Sequence, residues 1–438
     1  MSVCRGDRTM QKVRSTVSLL RTCRVTVWVI VGLLTSGQSG AFDFGGYFKK
    51  FGSVYDLPSH SLSGLVEDPP ALGRFISRMR LQSRLTLGDH GSFNVAYDFA
   101  PRIEDELLRQ ANLFLNDSPS SSYRAFDFDQ PLYPNPDDST ASFSIHHNLD
   151  RVELTINAGR FDLFLGRQAV AWGSSRTINP TDVVAPFGYT ELDTEDRAGV
   201  DGVRLRIPVG FMAEIDAGYL FGEDFRFEQS AFFVRVKQYL ARTDATVLVV
   251  GFRENLLLGV DLARSVGGAG VWVEGGYVLD NVLANQRRPD YQNYLRATIG
   301  MDYSLAATLY GFVEYHYNGP GGQAENFQDN TTATAYTAGG VYLMGRHYLV
   351  PGAVWQITPL ATFGGEVLAN LNDPSILLAP SLEYNVAANV YLSAGAFIGV
   401  GKRVAIELGE NLKLDQFRLR SEFGTYPDIY HTSFRVYF

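Results

Sequence analysis

The chain has 438 residues and a formal net charge of −9, and 45% of its residues are hydrophobic, 13% aromatic and 19% charged. Abundant aromatics and few charges exclude a disordered chain, and no stretch reaches the ~18 consecutive apolar residues of a membrane-spanning helix. A mean hydropathy of −0.06, with 43 glycines, 23 tyrosines and 29 phenylalanines, indicates an all-β protein.

Residues 1–41 are predicted to be a cleavable signal peptide for export. They contain six Lys/Arg residues, the apolar run 25–34 (VTVWVIVGLL) and the small residues Ser39-Gly40-Ala41 before Phe42. A single anchor helix is the alternative, but ten apolar residues are too few to cross a bilayer.

Removal of this segment would change both the cysteine content and the charge. Cys4 and Cys23 lie within it, so residues 42–438 contain no cysteine and can form neither a disulfide nor a thiolate site. The remaining chain has 32 basic and 46 acidic residues, a net charge of −14. Such an acidic chain is not expected to bind nucleic acid.

Alternation of apolar and polar residues extends over most of residues 42–438. In 74–87 (RFISRMRLQSRLTL), apolar residues occupy mostly odd positions, and arginines and Gln82 occupy even ones. Segments of about 10–13 residues are long for a soluble sheet but suit tilted strands that cross a bilayer. Such strands must close, because an open edge cannot exist in lipid. We therefore predict one domain over residues 42–438, an outer-membrane antiparallel β-barrel of about 18 strands (16–20).

The predicted strands lie near 73–87, 91–100, 143–157, 158–170, 197–207, 210–221, 229–240, 243–253, 255–265, 269–280, 291–304, 306–318, 334–345, 347–358, 360–371, 375–386, 388–400 and 428–438. This assignment has a defect, because the long intervals 101–142, 173–196, 319–333 and 401–427 do not all fall at one end of the barrel. One strand is therefore missed, with Phe42–Val54 as the candidate, or one is wrongly divided. The interval 101–142 either folds into the lumen as a constriction or caps the barrel outside.

The last strand carries a second indication. Tyr430, Phe434, Val436 and Phe438 share one face, and the chain ends on Phe438. This pattern resembles the terminal signature of Gram-negative outer-membrane barrels, which implies that it serves as the barrel-insertion signal and that the barrel-assembly machinery is a partner.

The most distinctive stretch is 159–182 (GRFDLFLGRQAVAWGSSRTINPTD). Together with the turn 370–373 (NLND) and the last strand, it resembles porin-like outer-membrane proteins of proteobacteria, including the alginate-export type. The resemblance implies a diffusion pore or a substrate-biased exporter. For Trp172, Asn179, Pro180 and Asp182 we favour a local role in ordering a loop over substrate contact, because Asn and Asp bond nearby backbone and proline fixes φ.

Charged residues on the inner face are the candidate solute-binding residues. Arg74, Arg78, Arg80 and Arg84 share one strand face and should line a water-filled lumen, since lipid-facing arginine costs about 2–4 kcal/mol. The further candidates on the wall are Arg160, Arg204, Arg206, Glu214, Asp216, Glu274 and Glu314. Segregated basic and acidic walls would orient polar solutes, and rings of basic residues would favour anions. The alternative is that these charges pair across strands and stiffen the wall.

The sequence predicts a porin-like channel for passive diffusion of small polar or anionic solutes or glycans. Besides its solute and the barrel-assembly machinery, the expected partners are outer-membrane lipid and lipopolysaccharide. We expect no enzymatic activity, cofactor or metal, because the seven histidines are scattered and no nucleophile or metal motif is present. The alternative is a non-conducting barrel, plugged by its loops, with a surface-binding or envelope-assembly role. Inward clustering of Trp272, Tyr310 and Phe312 would favour that alternative.

Overall fold

A computed structural model describes residues 41–58, 71–110, 123–128, 131–134, 142–286, 288, 291–323, 327–330, 333–337, 340–408 and 414–438. Nearly all of the predicted signal peptide lies outside these residues. Among them, 18 strands form a single antiparallel sheet, and two short strands form a separate hairpin.

The strands of the large sheet are β1 (Phe42–Asp56), β2 (Leu72–Thr86), β3 (Gly91–Glu104), β4 (Phe143–Asn157), β5 (Asp162–Gln168), β6 (Val200–Pro208), β7 (Ala213–Leu220), β8 (Ala231–Leu240), β9 (Thr243–Phe252), β10 (Asn255–Val266), β11 (Ala269–Leu279), β12 (Tyr294–Ala306), β13 (Leu309–Asn318), β14 (His347–Thr358), β15 (Ala361–Asn370), β16 (Ser375–Ala387), β17 (Val390–Val400) and β20 (Asp428–Tyr437). The hairpin consists of β18 (Ala405–Leu408) and β19 (Leu414–Arg418). The helices are α1 (Glu106–Gln110), α2 (Phe327–Asn330) and α3 (Thr334–Thr337), and single 3₁₀ turns occur at Gly88–His90, Glu223–Phe225, Phe227–Gln229 and Phe423–Thr425.

The sheet closes on itself at β1. Lys49 of β1 lies opposite Arg78 of β2 on one side and Arg435 of β20 on the other. On its other side β20 pairs with β17, where Ser393 lies opposite Ser433. Every strand therefore has two neighbours, which satisfies the backbone of a sheet surrounded by lipid. The predicted transmembrane antiparallel β-barrel is confirmed.

Alternation divides each strand between an apolar outer face and a polar inner face. On β11 and β12, Val273 and Ile299 point outward and are 42% and 54% exposed, whereas Glu274 points inward and is fully buried. Outward apolar residues such as Val247 and Phe363 are exposed because no other part of the protein covers them. They form the surface that contacts the hydrocarbon of the membrane. None of the described helices is long and apolar enough to span a bilayer.

The structure resolves the defect in the predicted loop pattern. Phe42–Asp56 is a strand, as the candidate segment Phe42–Val54 suggested, whereas the predicted strand 334–345 is wrong. The predicted total of 18 agreed because these two errors cancel. Connections at one end of the barrel now have two to four residues, and the long connections all lie at the other end. Outer-membrane barrels place short turns in the periplasm and long loops outside, so we call these the turn end and the loop end.

The error at 334–345 has a physical cause. Residues 334–337 form α3, and Gly340 follows with a φ of +67° that breaks an extended strand. Ala335, Val341 and Leu343 are buried against other residues inside the barrel. The alternating pattern therefore reflects packing within a loop rather than a boundary between lipid and water.

Candidate functional site: a loop folded into the barrel

Residues 169–199 connect β5 to β6 and fold into the lumen; we call this segment the inner loop. It contacts inward-pointing side chains on two sides of the barrel. Its first half meets Glu274 of β11, Glu314 of β13 and Glu366 of β15. Its second half meets Lys49 of β1 and Arg78 of β2. The loop thus crosses from an acidic to a basic part of the wall.

Glu274 is the principal anchor of the first half. It is fully buried and accepts hydrogen bonds from the backbone N–H groups of Ser174 (3.1 Å), Ser175 (3.1 Å) and Thr181 (3.0 Å). The hydroxyl groups of Ser175 and Thr181 donate to it as well, at 2.9 and 2.6 Å. A carboxylate that accepts five donors satisfies backbone groups that a loop buried away from water would otherwise leave unpaired.

Neighbouring strands continue the same arrangement. Glu314 accepts from the backbone N–H of Arg176 (2.5 Å) and of Thr177 (3.0 Å), and Glu366 accepts from the Thr177 hydroxyl (2.9 Å). On β12, the strand between those of Glu274 and Glu314, the Thr298 hydroxyl donates to the carbonyl of Ile178 at 2.9 Å. The first half of the inner loop is therefore held by the wall of β11 to β15. We call Glu274, Glu314 and Glu366 the acidic wall.

The second half of the loop presents carboxylates to basic side chains of the barrel wall. We call Lys49, Arg78 and Arg80 the basic wall, and Asp193, Glu195 and Asp196 the acidic tip of the loop. Ion-pair distances from the tip to the wall are 2.8 Å (Asp193–Lys49), 2.7 Å (Glu195–Lys49), 2.9 Å (Asp193–Arg78) and 3.4 Å (Asp196–Arg80). Burial by itself would raise the pKa of Asp193, but the Lys49 and Arg78 charges hold that pKa below its ordinary value.

Apolar packing fills the space between the inner loop and the loop-end half of β6 to β12. Val170, Trp172 and Val184 pack into one buried cluster with inward residues such as Phe233 and Val250. The segment around α3 joins this cluster. This side of the lumen is therefore a protein core rather than a water channel.

Two cavities lie on the side of β1 to β4, β16, β17 and β20, and others lie beside the first half of the inner loop, for example one of about 860 Å³ lined by Arg176 and Asp302. A cavity of about 400 Å³ opens towards the loop end, where Arg74 and Arg102 line it, and one of about 730 Å³ lies nearer the turn end, beside Arg435. Phe51, Leu192 and Asp193 line both, so the two cavities adjoin at these three residues.

The four predicted arginines of β2 all lie on its inner face, but in different environments. Arg74 pairs with Glu104 at 3.2 Å. Arg78 pairs with Asp98 (2.7 Å), and Arg80, only 2% exposed, pairs with Asp150 (2.8 Å). Arg84 is exposed and forms no ion pair with a described residue.

The other predicted charges mostly pair along the wall. Arg204 binds Asp216 at 2.7 Å, and Arg206 lies 3.5 Å from Glu214. The prediction that Arg160 lies on the wall is wrong. The predicted strand 158–170 begins only at Asp162, so Arg160 is exposed in a turn at the turn end. Glu274 and Glu314 are engaged by the inner loop, as described above.

The residues predicted to order the loop lie within it. The Trp172 indole donates to the carbonyl of Thr181 at 2.5 Å, and the Asp182 N–H donates to the carbonyl of Asn179 across Pro180. Asp182 is buried and forms an ion pair of 3.0 Å with Arg197, which joins the two halves of the loop. Burial outweighs this partner and raises the pKa of Asp182 to about 6.

The remaining predicted features also have defined places. Tyr430, Phe434 and Phe438 of the last strand point outward and are exposed, with Val436 on the same face. On the inner face, Trp272 donates to Glu314, and the Tyr310 and Phe312 rings are 6.5 Å apart. Much of the interval 101–142 lies outside the described residues.

Sequence reasoning missed the residues that hold the second half of the loop. Lys49 lies on a strand that was only a candidate, and adjacent Lys50 obscures the alternation there. The acidic run 190–197 (TELDTEDR) was visible, but nothing in it identified the basic wall as its partner. Among the described residues, no group of three His, Cys, Asp or Glu could hold a metal ion.

Known structures of the same architecture cover most of the chain. OccAB4 of Acinetobacter baumannii matches with a TM-score of 0.52 and 10% identity over 90% of this chain and 98% of that one. OccK5 (OpdH) of Pseudomonas aeruginosa matches with a TM-score of 0.51 and 8% identity over 91% and 98%. OccD3 (OpdP) of the same organism has a TM-score of 0.50 and 8% identity over 90% and 91%.

These likenesses show that the chain has the fold of a porin-like barrel. No protein-family model matches the sequence, and a comparison with curated proteins found no match.

Proposed function

We propose that the protein is a porin-like channel of the Gram-negative outer membrane, through which small polar or anionic solutes diffuse passively. The observation that carries this proposal is the pair of cavities that meet at Phe51, Leu192 and Asp193. The inner loop packs against one side of the lumen, and its tip lies at the basic wall where the two cavities adjoin, so we take the two cavities as the route. Passive diffusion needs a water-filled route and selective contacts along it, and no catalytic step.

Charged side chains of both signs line the two cavities. Arg74, Arg78 and Arg102 line the cavity at the loop end, and Arg435 lines the one at the turn end. Asp98, Glu191, Asp193, Glu195 and Glu383 line the same two cavities, so a solute meets charges of both signs rather than a free basic ladder. The resemblance to the alginate-export type adds anionic glycans to the candidate solutes.

Single-channel recording in planar bilayers tests the proposal. The wild-type protein should give stable conductance steps, and the reversal potential in a salt gradient then measures whether anions or cations pass preferentially. Leu192→Trp should reduce the conductance, because the larger side chain occupies the point where the two cavities meet. Leu258→Trp is the control, because Leu258 faces outward and is 44% exposed. Equal conductance of both variants would contradict the assigned route.

A non-conducting, plugged barrel is the second candidate. The apolar cluster between the inner loop and β6 to β12 favours it, since its side chains are buried against one another and leave that part of the lumen filled. Absence of conductance at every voltage, from protein shown to be folded by its heat-dependent migration on gels, would support the plug. Fractionation of cell envelopes tests the outer-membrane location for both candidates.

A further inference from the structure

We propose that Arg296 of β12 forms a binding site for a small, singly charged oxyanion, on the wall opposite the two cavities of the proposed route. The ligand class is that of dihydrogen phosphate, an anion whose hydroxyl groups also donate hydrogen bonds. Bound at Arg296, it would join the barrel wall to the inner loop and to residues 340–346 of the β13–β14 connection. The site would therefore stabilise the segments inside the barrel, whether or not the protein conducts.

The buried charge of Arg296 is the central observation. The residue lies on the inner face near the loop end of β12 and is only 5% exposed. Its Nε and Nη1 atoms have no hydrogen-bond partner among the described residues, and no described carboxylate forms an ion pair with it. A guanidinium is always charged, and a buried charge without a partner is strongly unfavourable. Arg296 therefore calls for an anion that the described part of the chain does not supply.

A cavity of about 340 Å³ provides the space for such an anion. Arg296 borders it together with Asn179 and Tyr189 of the inner loop and Tyr342 of the β13–β14 connection. Neither of the two phenol hydroxyl groups donates a hydrogen bond to a described residue. The planar guanidinium fork suits the oxygen atoms of an oxyanion, and phenols can donate to the same atoms. The cavity thus brings three sets of donors from three parts of the chain around one position.

The other charges of the cavity limit the ligand to a single negative charge. Arg197 is paired with Asp182 at 3.0 Å. Arg176 is paired with Asp302 at 2.7 Å. Glu366 also lines the cavity and would repel a second negative charge on the ligand. Arg296 is therefore the arginine of this cavity that needs a counter-charge, and one negative charge is sufficient.

The acceptors in the cavity favour an anion that carries hydroxyl groups. The Asn179 Oδ1 atom is buried and has no hydrogen-bond donor among the described residues. The Glu191 carboxylate lines the cavity and accepts from the Gly188 N–H at 3.1 Å, and a carboxylate can accept further bonds. Dihydrogen phosphate can place its charged oxygens at Arg296 and donate its hydroxyl groups to these acceptors. Chloride has no hydroxyl group to donate.

The test uses the full-length protein in detergent, the variant Arg296→Gln and the control Arg84→Gln. Arg84 is likewise an inward arginine without an ion pair to a described residue, but it is exposed to water. Calorimetry measures the binding of inorganic phosphate in slightly acidic buffer, where the ion is mainly singly charged, with sodium chloride at equal ionic strength as the reference. Hydrogen exchange of peptides covering residues 183–197 and 340–346 is measured in both salts.

We expect the wild-type protein and Arg84→Gln to bind phosphate and Arg296→Gln not to bind it. With phosphate at about 100 times its Kd, exchange of both peptides should slow about 100-fold in the two binding proteins, because only the closed arrangement holds the ion. In chloride, Arg296→Gln should exchange no faster than the wild type, since the substitution removes an unpartnered charge.

A second variant keeps the proposal testable if Arg296→Gln does not fold. Tyr342→Phe removes one hydroxyl donor and keeps the ring, so phosphate binding should weaken about tenfold or more. Absence of phosphate binding to the wild type, equal slowing of exchange by chloride and phosphate, or slowing that survives in Arg296→Gln overturns the proposal. Unchanged phosphate affinity of Tyr342→Phe overturns it as well.

Discussion

Replacing Glu274 by alanine tests whether the acidic wall holds the inner loop in the lumen. In the wild-type protein one buried carboxylate accepts three backbone N–H groups and two hydroxyl groups from Ser174, Ser175 and Thr181. In Glu274→Ala the hydroxyl groups can turn towards other acceptors or water. The three N–H groups cannot do so without movement of the backbone.

The expected cost follows from these bonds. A hydrogen bond to a charged group contributes about 1.5–3 kcal/mol, but bonds that share one acceptor are not additive. Loss of one member of a buried charged network costs about 3–5 kcal/mol, and we expect the local stability of the loop to fall by that amount. Because about 1.4 kcal/mol corresponds to a factor of ten, opening of the loop should become at least about 100-fold more frequent.

Hydrogen exchange measured by mass spectrometry detects this change directly. Peptides covering residues 169–182 should exchange faster in Glu274→Ala, and single-channel traces should become noisier. Glu383→Ala is the control, since Glu383 lies on the inner wall, pairs with Arg435 and makes no bond to the loop. Unchanged exchange of this peptide in Glu274→Ala would show that the loop does not depend on the acidic wall, and the reasoning would be refuted.

Three further predictions concern local features. Gly173 has a φ of +107° and lies against Asn179, so Gly173→Ala should loosen the loop and raise exchange of the same peptide. Trp172→Phe removes the bond to the Thr181 carbonyl and should lower loop stability by about 1 kcal/mol, measured as faster exchange. Burial raises the pKa of Glu422 from 4.5 to about 7, so the folded state favours the neutral acid. The packing of Glu422 against Met344 and Asn370 should therefore become less stable as pH rises from about 4.5 to about 7, by at most about 3 kcal/mol. Hydrogen exchange of the peptide around Glu422 should report this loss, and Glu422→Gln should remove it.

Much of the barrel could be predicted because lipid and water impose their pattern locally. On β2, Phe75 and Met79 face lipid while Arg78 and Arg80 face inward, and this contrast repeats at every second residue. On β1, Gly45-Gly46 and Lys49-Lys50 interrupt the contrast, which explains why that strand was only a candidate. The arrangement of the loop could not be predicted, because each of its contacts joins distant parts of the chain. Thr181 and Glu274 are 93 positions apart, and Lys49 and Asp193 are 144 apart.

The order of charges along the inner loop determines which way it can lie across the lumen. Its first half carries no acid between residues 169 and 181 and offers N–H and hydroxyl donors to the carboxylates of the acidic wall. Its second half carries the acidic tip. If the loop were reversed, Asp193 and Glu195 would face Glu274 and Glu314, and Lys49 would lose both of its carboxylate partners. Like charges in a buried site are strongly unfavourable, so the opposed charges of the wall select one orientation of the loop.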